Sequence, residues 1–153
     1  MDHGSLNIVN TRYNSIDGEA ARELAAAVLA SSSMIKFGEV PIKELRADAL
    51  KTLDLKSKTL GPTEAIVLVG LLPVSQSLNV VDTRDNGIDG EAAKELAAAA
   101  LASTSLITFG EVPIKELRAD ALTTLDLQGK DLGPTEALVL AGLLPACRSL
   151  SKV

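Results

Sequence analysis

The chain has 153 residues, of which 46% are hydrophobic and 23% charged, and its net charge at pH 7 is −5. This composition excludes intrinsic disorder, and no apolar run reaches the roughly 18 residues of a membrane span. The acidic balance, with one Tyr, two Phe and no Trp, argues against a nucleic-acid partner, since that binding needs clustered Lys and Arg or stacking platforms. A single cysteine forbids an internal disulfide and favours the cytoplasm or another reducing compartment.

An internal repeat of 72 residues dominates the sequence. Residues 5–76 align with residues 77–148 at 54 identical and 18 different positions. The first copy carries 8 Lys+Arg and 8 Asp+Glu, whereas the second carries 6 and 11 and so holds the net charge of −5. Residues 149–153, SLSKV, begin a third copy. We therefore predict a single domain over residues 1–153.

Each copy divides into three smaller units that begin on an apolar residue. Units of 28 residues suit a strand, a turn and about three turns of helix, whereas the middle unit of 16 residues has room for little beyond a strand and a return. The predicted strand starts are Leu6, Met34, Leu50, Leu78, Leu106, Leu122 and Leu150.

The first long unit predicts a short strand followed by an amphipathic helix. Asp17 is expected to cap a helix that begins at Gly18, with Glu19 in the first turn, where the helix dipole favours negative charge. One apolar stripe then faces the strands, because its residues recur at helical spacing. The stripe consists of Ala21, Leu24, Ala25 and Val28.

The middle unit, MIKFGEVPIKELRADA, departs from this pattern. Glu39 stands where a third apolar residue is expected, and Pro41 cannot donate to a sheet ladder. We expect an irregular segment with one helical turn at Lys43–Arg46.

The third unit returns to the pattern of strand and helix but differs at its turn. Lys58 and Lys130 stand where an asparagine normally turns its amide to the backbone at a strand end, which predicts a loosened or replaced turn. Gly61 and Pro62 are expected to start the second long helix, because Pro is favoured at the first helical position. The stretch after Glu64 carries no charge, so we expect its helix to be covered on more than one side.

With these residues in place, the chain resembles the leucine-rich repeat family, most closely the ribonuclease-inhibitor-like subtype with long repeats. Its pattern is L-x-x-L-x-L-x-x-N-x-(I/L) followed by a helix. The resemblance implies an α/β fold: a right-handed, horseshoe-shaped solenoid with a parallel concave sheet of about seven strands, convex helices, and alternating long and short repeats. The matching residues are Leu6, Val9, Thr11, Asn14, Ile16, Ala20, Ala21, Leu24 and Ala25, and then Leu78, Val81, Thr83, Asn86, Ile88, Ala92, Ala93, Leu96 and Ala97.

No catalytic group of residues stands out, so we expect a protein that is not an enzyme and uses no cofactor or metal. His3 is the sole histidine, and Cys147 has no histidine near it to activate a thiolate. The GPTEA segments at Gly61 and Gly133 open helices as a phosphate site would, but they lack the further glycines and the Lys-Ser/Thr of a P-loop.

The residues expected to point outward from the concave strands form a candidate protein-binding face. Of ten such positions in the first copy, six differ in the second, against 12 of the other 62. This divergence fits either a partner surface tuned separately in each half or exposed positions that drift because nothing packs on them. The candidate residues are Asn7, Asn10, Arg12, Tyr13, Lys36, Lys51, Asp54, Lys56, Asn79, Asp82, Arg84, Asp85, Thr108, Thr123, Asp126 and Gln128.

We therefore expect a non-catalytic scaffold that mediates protein–protein interaction through its concave face. The alternative is a structural or assembly subunit of a head-to-tail oligomer, a filament or a larger complex, or a designed or excised repeat array without a native function. Self-association would use uncapped repeat ends or the apolar helices at 65–72 and 137–144, because a repeat array without polar caps exposes core residues at its ends.

Overall fold

The computed structural model describes residues 6–151, and within them the chain forms an α/β structure with six α-helices and five short strands. The strands are β1 (Ile8–Val9), β2 (Lys36–Phe37), β3 (Thr52–Asp54), β4 (Val80–Asp82) and β5 (Thr108–Phe109). The helices are α1 (Gly18–Ala30), α2 (Ile42–Arg46), α3 (Pro62–Leu71), α4 (Gly90–Ala102), α5 (Ile114–Arg118) and α6 (Pro134–Leu143). Short 3-10 turns at Leu72–Val74 and Leu144–Ala146 follow α3 and α6.

The strands lie in two separate parallel sheets. β1 pairs with β2 in one sheet, and β4 lies between β3 and β5 in the other. The expectation of a solenoid with one concave sheet of about seven strands is therefore wrong. In the part of the chain that the structure describes, no strand element follows Leu122, and the strand predicted from Leu150 falls partly on residues 152–153, which lie outside the described range.

The sheet is divided because the middle unit pairs with its own strand. The Phe37 N–H donates to the Val40 carbonyl at 3.0 Å, and the Val40 N–H donates back to the Phe37 carbonyl at 2.8 Å. The Lys43 N–H donates to the Ile35 carbonyl at 3.1 Å. These are the backbone groups on the edge of β2 that faces away from β1, and a further parallel strand would need them. β3 therefore cannot continue the first sheet.

The second copy closes β5 in the same way. Phe109 and Val112 exchange two backbone hydrogen bonds of 3.0 and 2.8 Å, and the Lys115 N–H donates to the Ile107 carbonyl at 3.2 Å. The irregular segment and short helical turn predicted for this unit are confirmed by α2 and α5. The closing of the sheet by the return segment is not predicted by the sequence pattern.

The four longer helices pack in a row, in the order α1, α3, α4, α6. α3 therefore has a helix on each side, as its uncharged sequence predicts, and Ala65 and Leu68 are fully buried. α6 packs on α4 and on the short α5, and Ala137 and Ala141 on it are exposed. Of the two helices predicted to offer apolar surfaces for association, α3 is covered by its neighbours and α6 has one exposed side.

The predicted helix starts agree with the structure. Asp17 is the N-cap residue of α1, although its side chain makes no capping hydrogen bond, and α3 begins at Pro62 after Gly61. Within residues 6–151, no helix combines the length and the apolar character that crossing a membrane requires.

The turn by which the middle unit folds back on its own strand contains a glycine with positive φ, Gly110 in the second copy. Substitution by alanine, which adds one methyl group, tests whether this glycine is required. Gly110 has φ +60°, and a Cβ there would lie 3.0 Å from Cγ of Glu136. Gly90 has φ +58°, but a Cβ there would meet nothing within 4 Å. We expect Gly90→Ala to lower the free energy of unfolding by about 1 kcal/mol through backbone strain, and Gly110→Ala by about 1 kcal/mol more through crowding. Urea denaturation measures both, and equal losses would contradict tight packing of the return against Glu136.

Candidate functional site: the strand face

The candidate site is the strand face, which we define as the outward side chains of the strands and of the turns that follow them. Because side chains at paired positions of parallel strands share one side of a sheet, the register decides which of them are neighbours. The neighbours on this face are Ile8 and Lys36 in the first sheet, Thr52, Val80 and Thr108 in the second, and Asp54 beside Asp82.

The predicted binding residues differ in exposure. Arg84 is buried. The exposed residues are Asn10, Tyr13, Lys51, Asp54, Asp85, Thr123, Asp126 and Gln128. The half-buried residues are Asn7, Arg12, Lys36, Lys56, Asn79, Asp82 and Thr108.

Four of these side chains occur in the same type of turn, at the end of a strand or of its counterpart segment. In each case a carboxylate or amide oxygen accepts a hydrogen bond from the backbone N–H two residues on, at 3.0–3.1 Å. This Asx turn mimics a backbone turn and ends the extended segment. The acceptor and donor pairs are Asn10 with Arg12, Asp54 with Lys56, Asp82 with Arg84, and Asp126 with Gln128.

The turns bring two carboxylates together. Asp54 and Asp82 are paired residues of β3 and β4, and like charges directly opposite each other on neighbouring strands are destabilising. Arg84 neutralises Asp82, whereas Asp54 is exposed and makes no ion pair within residues 6–151. The strand face therefore keeps an exposed carboxylate next to an internally neutralised one.

Arg84 is the centre of a buried polar network. Its Nε and Nη2 donate to Oδ1 and Oδ2 of Asp82 at 2.9 and 2.8 Å, a bidentate pair. Its Nη1 donates to the Lys130 carbonyl at 2.6 Å, and its Nη2 lies 3.3 Å from Oε2 of Glu111. The side chain is only 8% exposed. Arg84 therefore links the turn after β4 to the turn of the third unit rather than facing a partner.

Arg12 does the same in the first copy, but less deeply buried. Its Nε donates to Oδ1 of Asn10 at 3.0 Å, its Nη1 donates to the Lys58 carbonyl at 2.9 Å, and its Nη2 lies 3.4 Å from Oε2 of Glu39. Its side chain is 18% exposed. Lys58 and Lys130 stand at positions where the pattern predicts asparagine, and their backbone carbonyls accept hydrogen bonds from Arg12 and Arg84. We call each of these contacts an arginine bridge; it links the turns in place of an asparagine side chain.

The buried pair alters the pKa values of both partners. Burial by itself raises the pKa of Asp82, but hydrogen bonds from the side chain and backbone of Arg84, with the charges of Arg84 and Lys56, lower it below its ordinary value of 3.8. The side-chain hydrogen bond to Asp82 raises the pKa of Arg84, and the charges of Asp82, Glu111 and Glu136 add to this against the effect of burial. Both groups are therefore held in their charged forms.

Asn86 joins the two copies. Its Nδ2 donates to the Leu55 carbonyl of the preceding unit at 2.8 Å and to the Thr83 carbonyl at 3.0 Å. Its Oδ1 accepts from the Lys58 and Leu60 N–H groups at 3.1 and 2.8 Å. The asparagine position of the sequence pattern thus has the predicted role of satisfying backbone groups at a strand end.

Two buried glutamates were missed by the sequence analysis. Glu64 and Glu136 are 3% and 2% exposed, and their Oε1 atoms accept from the Gly61 and Gly133 N–H groups, each at 2.9 Å. The signal was present, since Glu three residues after an N-cap position is one half of a capping box. Oε2 of Glu136 is buried and has no hydrogen-bond partner in the described structure.

The candidate cysteine chemistry has a structural explanation. The Cys147 thiol lies 3.3 Å from the Leu117 and Leu143 carbonyls, and the equivalent Ser75 hydroxyl donates to the matching carbonyls of the first copy. Both side chains bond carbonyl groups near a helix end. Within residues 6–151, no three or more His, Cys, Asp or Glu side chains are placed to hold a metal ion together.

The two arginines allow a matched comparison of buried and half-buried charge. We expect Arg84→Met to lower the free energy of unfolding by about 3 kcal/mol, because the half-buried Asp82 carboxylate loses its bidentate partner. Arg12→Met should lower it by about 1 kcal/mol, because Asn10 is neutral and the site is wetter. Urea denaturation at neutral pH measures both values. Equal losses would contradict the assignment of Arg84 as the more buried charge.

The lowered pKa of Asp82 predicts how stability depends on pH. The folded state binds this proton less readily than the unfolded state, so the contribution is fully present above the ordinary value of 3.8 and is lost as pH falls through the folded pKa. Asp82→Asn gives the second copy the Asn–Arg arrangement that the first copy already has, so it should fold. We expect the acid-side loss in its free energy of unfolding to be smaller than in the wild type. Denaturation curves between about pH 2.5 and 7 measure this, and identical slopes would contradict it.

Comparison with known proteins returned no matching family model, no matching curated protein and no matching solved structure. The resemblance to leucine-rich repeats therefore stays a prediction from the residue pattern. The function has to be argued from the geometry of the strand face.

Proposed function

We propose that the protein is a non-catalytic interaction module that binds a partner protein across the strand face, and that the partner presents Lys or Arg side chains. The observation that carries this proposal is the pair of exposed carboxylates at Asp54 and Asp126, each held by an Asx turn. The resemblance to leucine-rich repeat proteins belongs to the same proposal and rests on the residue pattern alone.

The turns prepare these carboxylates for binding. Each oxygen that accepts the backbone hydrogen bond fixes the direction of its side chain before any partner arrives. Side chains that are already ordered lose less conformational entropy on association, which favours affinity. The second oxygen of each carboxylate is left to receive a donor from the partner.

The charge balance of the face favours a basic segment. The Asp54 carboxylate lies next to Asp82 in register, so a cation from a partner would reduce their mutual repulsion. In the second copy Asp85 and Asp131 add two further exposed carboxylates, and Nζ of Lys56 lies 3.7 Å from Oδ2 of Asp131. That pair is largely exposed, so it compensates the negative charge only weakly.

Two exposed apolar side chains lie at the start of strands of the proposed face. Ile35 and Ile107 lie just before β2 and β5, and each is 40% exposed. Protein interfaces combine apolar contact at the centre with polar groups at the rim. These two isoleucines supply the apolar part of such a contact, one in each copy.

We also infer a reducing compartment for the protein. The chain has one cysteine, and Cys147 is half-buried at a helix end, where its thiol lies against backbone carbonyls. A disulfide within this chain is thus impossible, as is usual for proteins of reducing compartments.

Two neutralising substitutions test the proposed binding surface. Selection from a display library of random peptides on the wild-type chain should enrich Lys- and Arg-containing sequences. The double variant Asp54→Asn with Asp126→Asn should bind the selected peptides about fivefold more weakly in fluorescence anisotropy, since two interfacial ion pairs are lost. Added salt should weaken wild-type binding as well.

The matched control lies on the helices. Glu19→Gln with Glu91→Gln changes the net charge by the same amount at exposed positions in the first turns of α1 and α4, away from the strands. It should leave the affinity unchanged. Enrichment of peptides without basic residues, or equal weakening by both double variants, would overturn the proposed surface.

A further inference from the structure

The chain contains a complete example of one copy docked on the next. β4 of the second copy pairs with β3 of the first, and α4 packs on α3. The Asn86 side chain closes the junction by bonding the Leu55 carbonyl and the Leu60 N–H of the preceding copy. Strand, asparagine and helix thus form one continuous internal interface, which we call the internal junction.

The first copy carries the same surface uncovered. Leu6 is 60% exposed, whereas its counterpart Leu78, which the first copy covers, is 1% exposed. Leu24 on α1 is half-buried, whereas its counterpart Leu96 on α4 is fully buried. Among residues 6–151, nothing covers the outer face of the first unit, which is a version of a surface that the chain itself buries.

The last unit carries the complementary surface, and its helix α6 is uncovered within residues 6–151. Ala65 on α3 is fully buried at the internal junction, whereas its counterpart Ala137 on α6 is exposed. Leu60 is 2% exposed, whereas its counterpart Leu132 is half-buried. Each half of the internal junction thus recurs once more at an open end of the described structure.

We propose that a second copy of this chain docks on these faces head to tail, with the first unit of one chain against the last unit of the other in the geometry of the internal junction. The occupant follows from the repeat, because 54 of 72 aligned positions are identical and the covering surface is therefore already encoded in the chain. A contact between two different faces leaves one face of each type free, so it continues to longer assemblies.

Asn14 is already arranged for this contact. Its Nδ2 donates to the Thr11 and Arg12 carbonyls at 3.0 and 3.4 Å, which is the local half of the set that Asn86 makes. In the docked pair the other half of that set is supplied by the Leu127 carbonyl and the Leu132 N–H of the neighbouring chain. These backbone groups match those of Leu55 and Leu60 at the internal junction.

Substitutions between the copies suit the contact between chains. At the internal junction Asp54 lies opposite Asp82, two like charges. At the equivalent positions of the proposed contact between chains, Asp126 lies opposite Asn10, so the like-charge pair is avoided.

A second substitution matches size. Ser57 donates to Asp85 at 2.6 Å across the internal junction. The same contact between chains places Gly129 opposite Tyr13, so a residue without a side chain meets a tyrosine that is 84% exposed. The ring can therefore lie over the neighbouring turn without a clash.

Part of the docking edge is already in use. The Ser149 N–H donates to Oδ1 of Asp120 at 2.9 Å, and the Ser151 N–H donates to the Thr123 carbonyl at 2.9 Å. The start of the third copy thus follows the path of a docked first strand, and an incoming chain has to displace it. The matching bonds at the internal junction run from Ser77 to Asp48 and from Asn79 to Lys51.

The faces can be blocked at alanines that the single chain exposes. Ala27 is exposed, but its counterpart Ala99 is half-buried beside Leu72 and Pro73 at the internal junction. The neighbouring Ala26 is exposed, and so is its counterpart Ala98. In sedimentation velocity over a concentration series, the wild type should form species larger than one chain. Ala27→Glu should abolish them, and Ala26→Glu should leave them unchanged.

Mixing distinguishes head-to-tail contact from a symmetric dimer. Ala137→Glu blocks the other face, so alone it should also give single chains. An equimolar mixture of the Ala27→Glu and Ala137→Glu variants retains one intact face of each type, so it should form two-chain species and nothing larger. Circular dichroism melts establish that each variant is folded.

Removing residues 149–153 should strengthen the association, because the competing segment is gone. If that segment covers the edge for nine-tenths of the time, the midpoint concentration falls by about tenfold. Single chains at every concentration in both the wild type and the shortened chain would overturn the proposal. Association that resists Ala27→Glu, or a mixture that forms no two-chain species, would overturn it equally.

Discussion

The hydrogen bonds by which the middle unit returns on its own strand are the constraint on which the rest of the structure depends. The pair between Phe37 and Val40, and its copy between Phe109 and Val112, uses the outer edge of β2 and β5. A parallel sheet grows by adding strands to such an edge, and here the edge is satisfied locally. Two sheets form where a continuous one was expected, and each ends at a short unit.

The arginine bridges follow from that interruption. Without a strand ladder across the short unit, the turns of the first and third units need another link, and Arg12 and Arg84 provide it through the Lys58 and Lys130 carbonyls. A buried guanidinium needs a carboxylate, which accounts for Asp82 beside Arg84. The carboxylates of Asp54 and Asp126 take no part in these bridges, and both are exposed on the strand face.

Local signals made the helices predictable, whereas neither the local return that divides the sheet nor the distant contacts of Arg84 could be recognised from the residue types. The N-cap at Asp17 and the Gly61–Pro62 start depend on a few adjacent residues, and the structure has both. The pairing of Phe37 with Val40 also spans few residues, but nothing in the residue types distinguishes a return from a loose segment beside Pro41. Arg84 could not be recognised as buried, because its carbonyl partner lies 46 residues away in the chain.

The two proposed binding surfaces use different parts of the repeat. The strand face consists of outward side chains of the strands, whereas the end faces are the surfaces by which one unit packs on the next. Backbone pairing, asparagine bonding and helix packing hold one copy to the next, and none of them uses the outward carboxylates of Asp54 or Asp126. The two copies keep the asparagine of the junction, as Asn14 and Asn86, whereas six of ten strand-face positions differ between them. A surface that must match its own repeat is constrained by packing, and one that meets a partner is free to change in each copy. Under the two proposals, docking between chains would cover Tyr13 and Asn10 at the edge of the strand face but would leave the Asp54 carboxylate for a basic partner, because the junction uses the backbone of β3 and not that side chain.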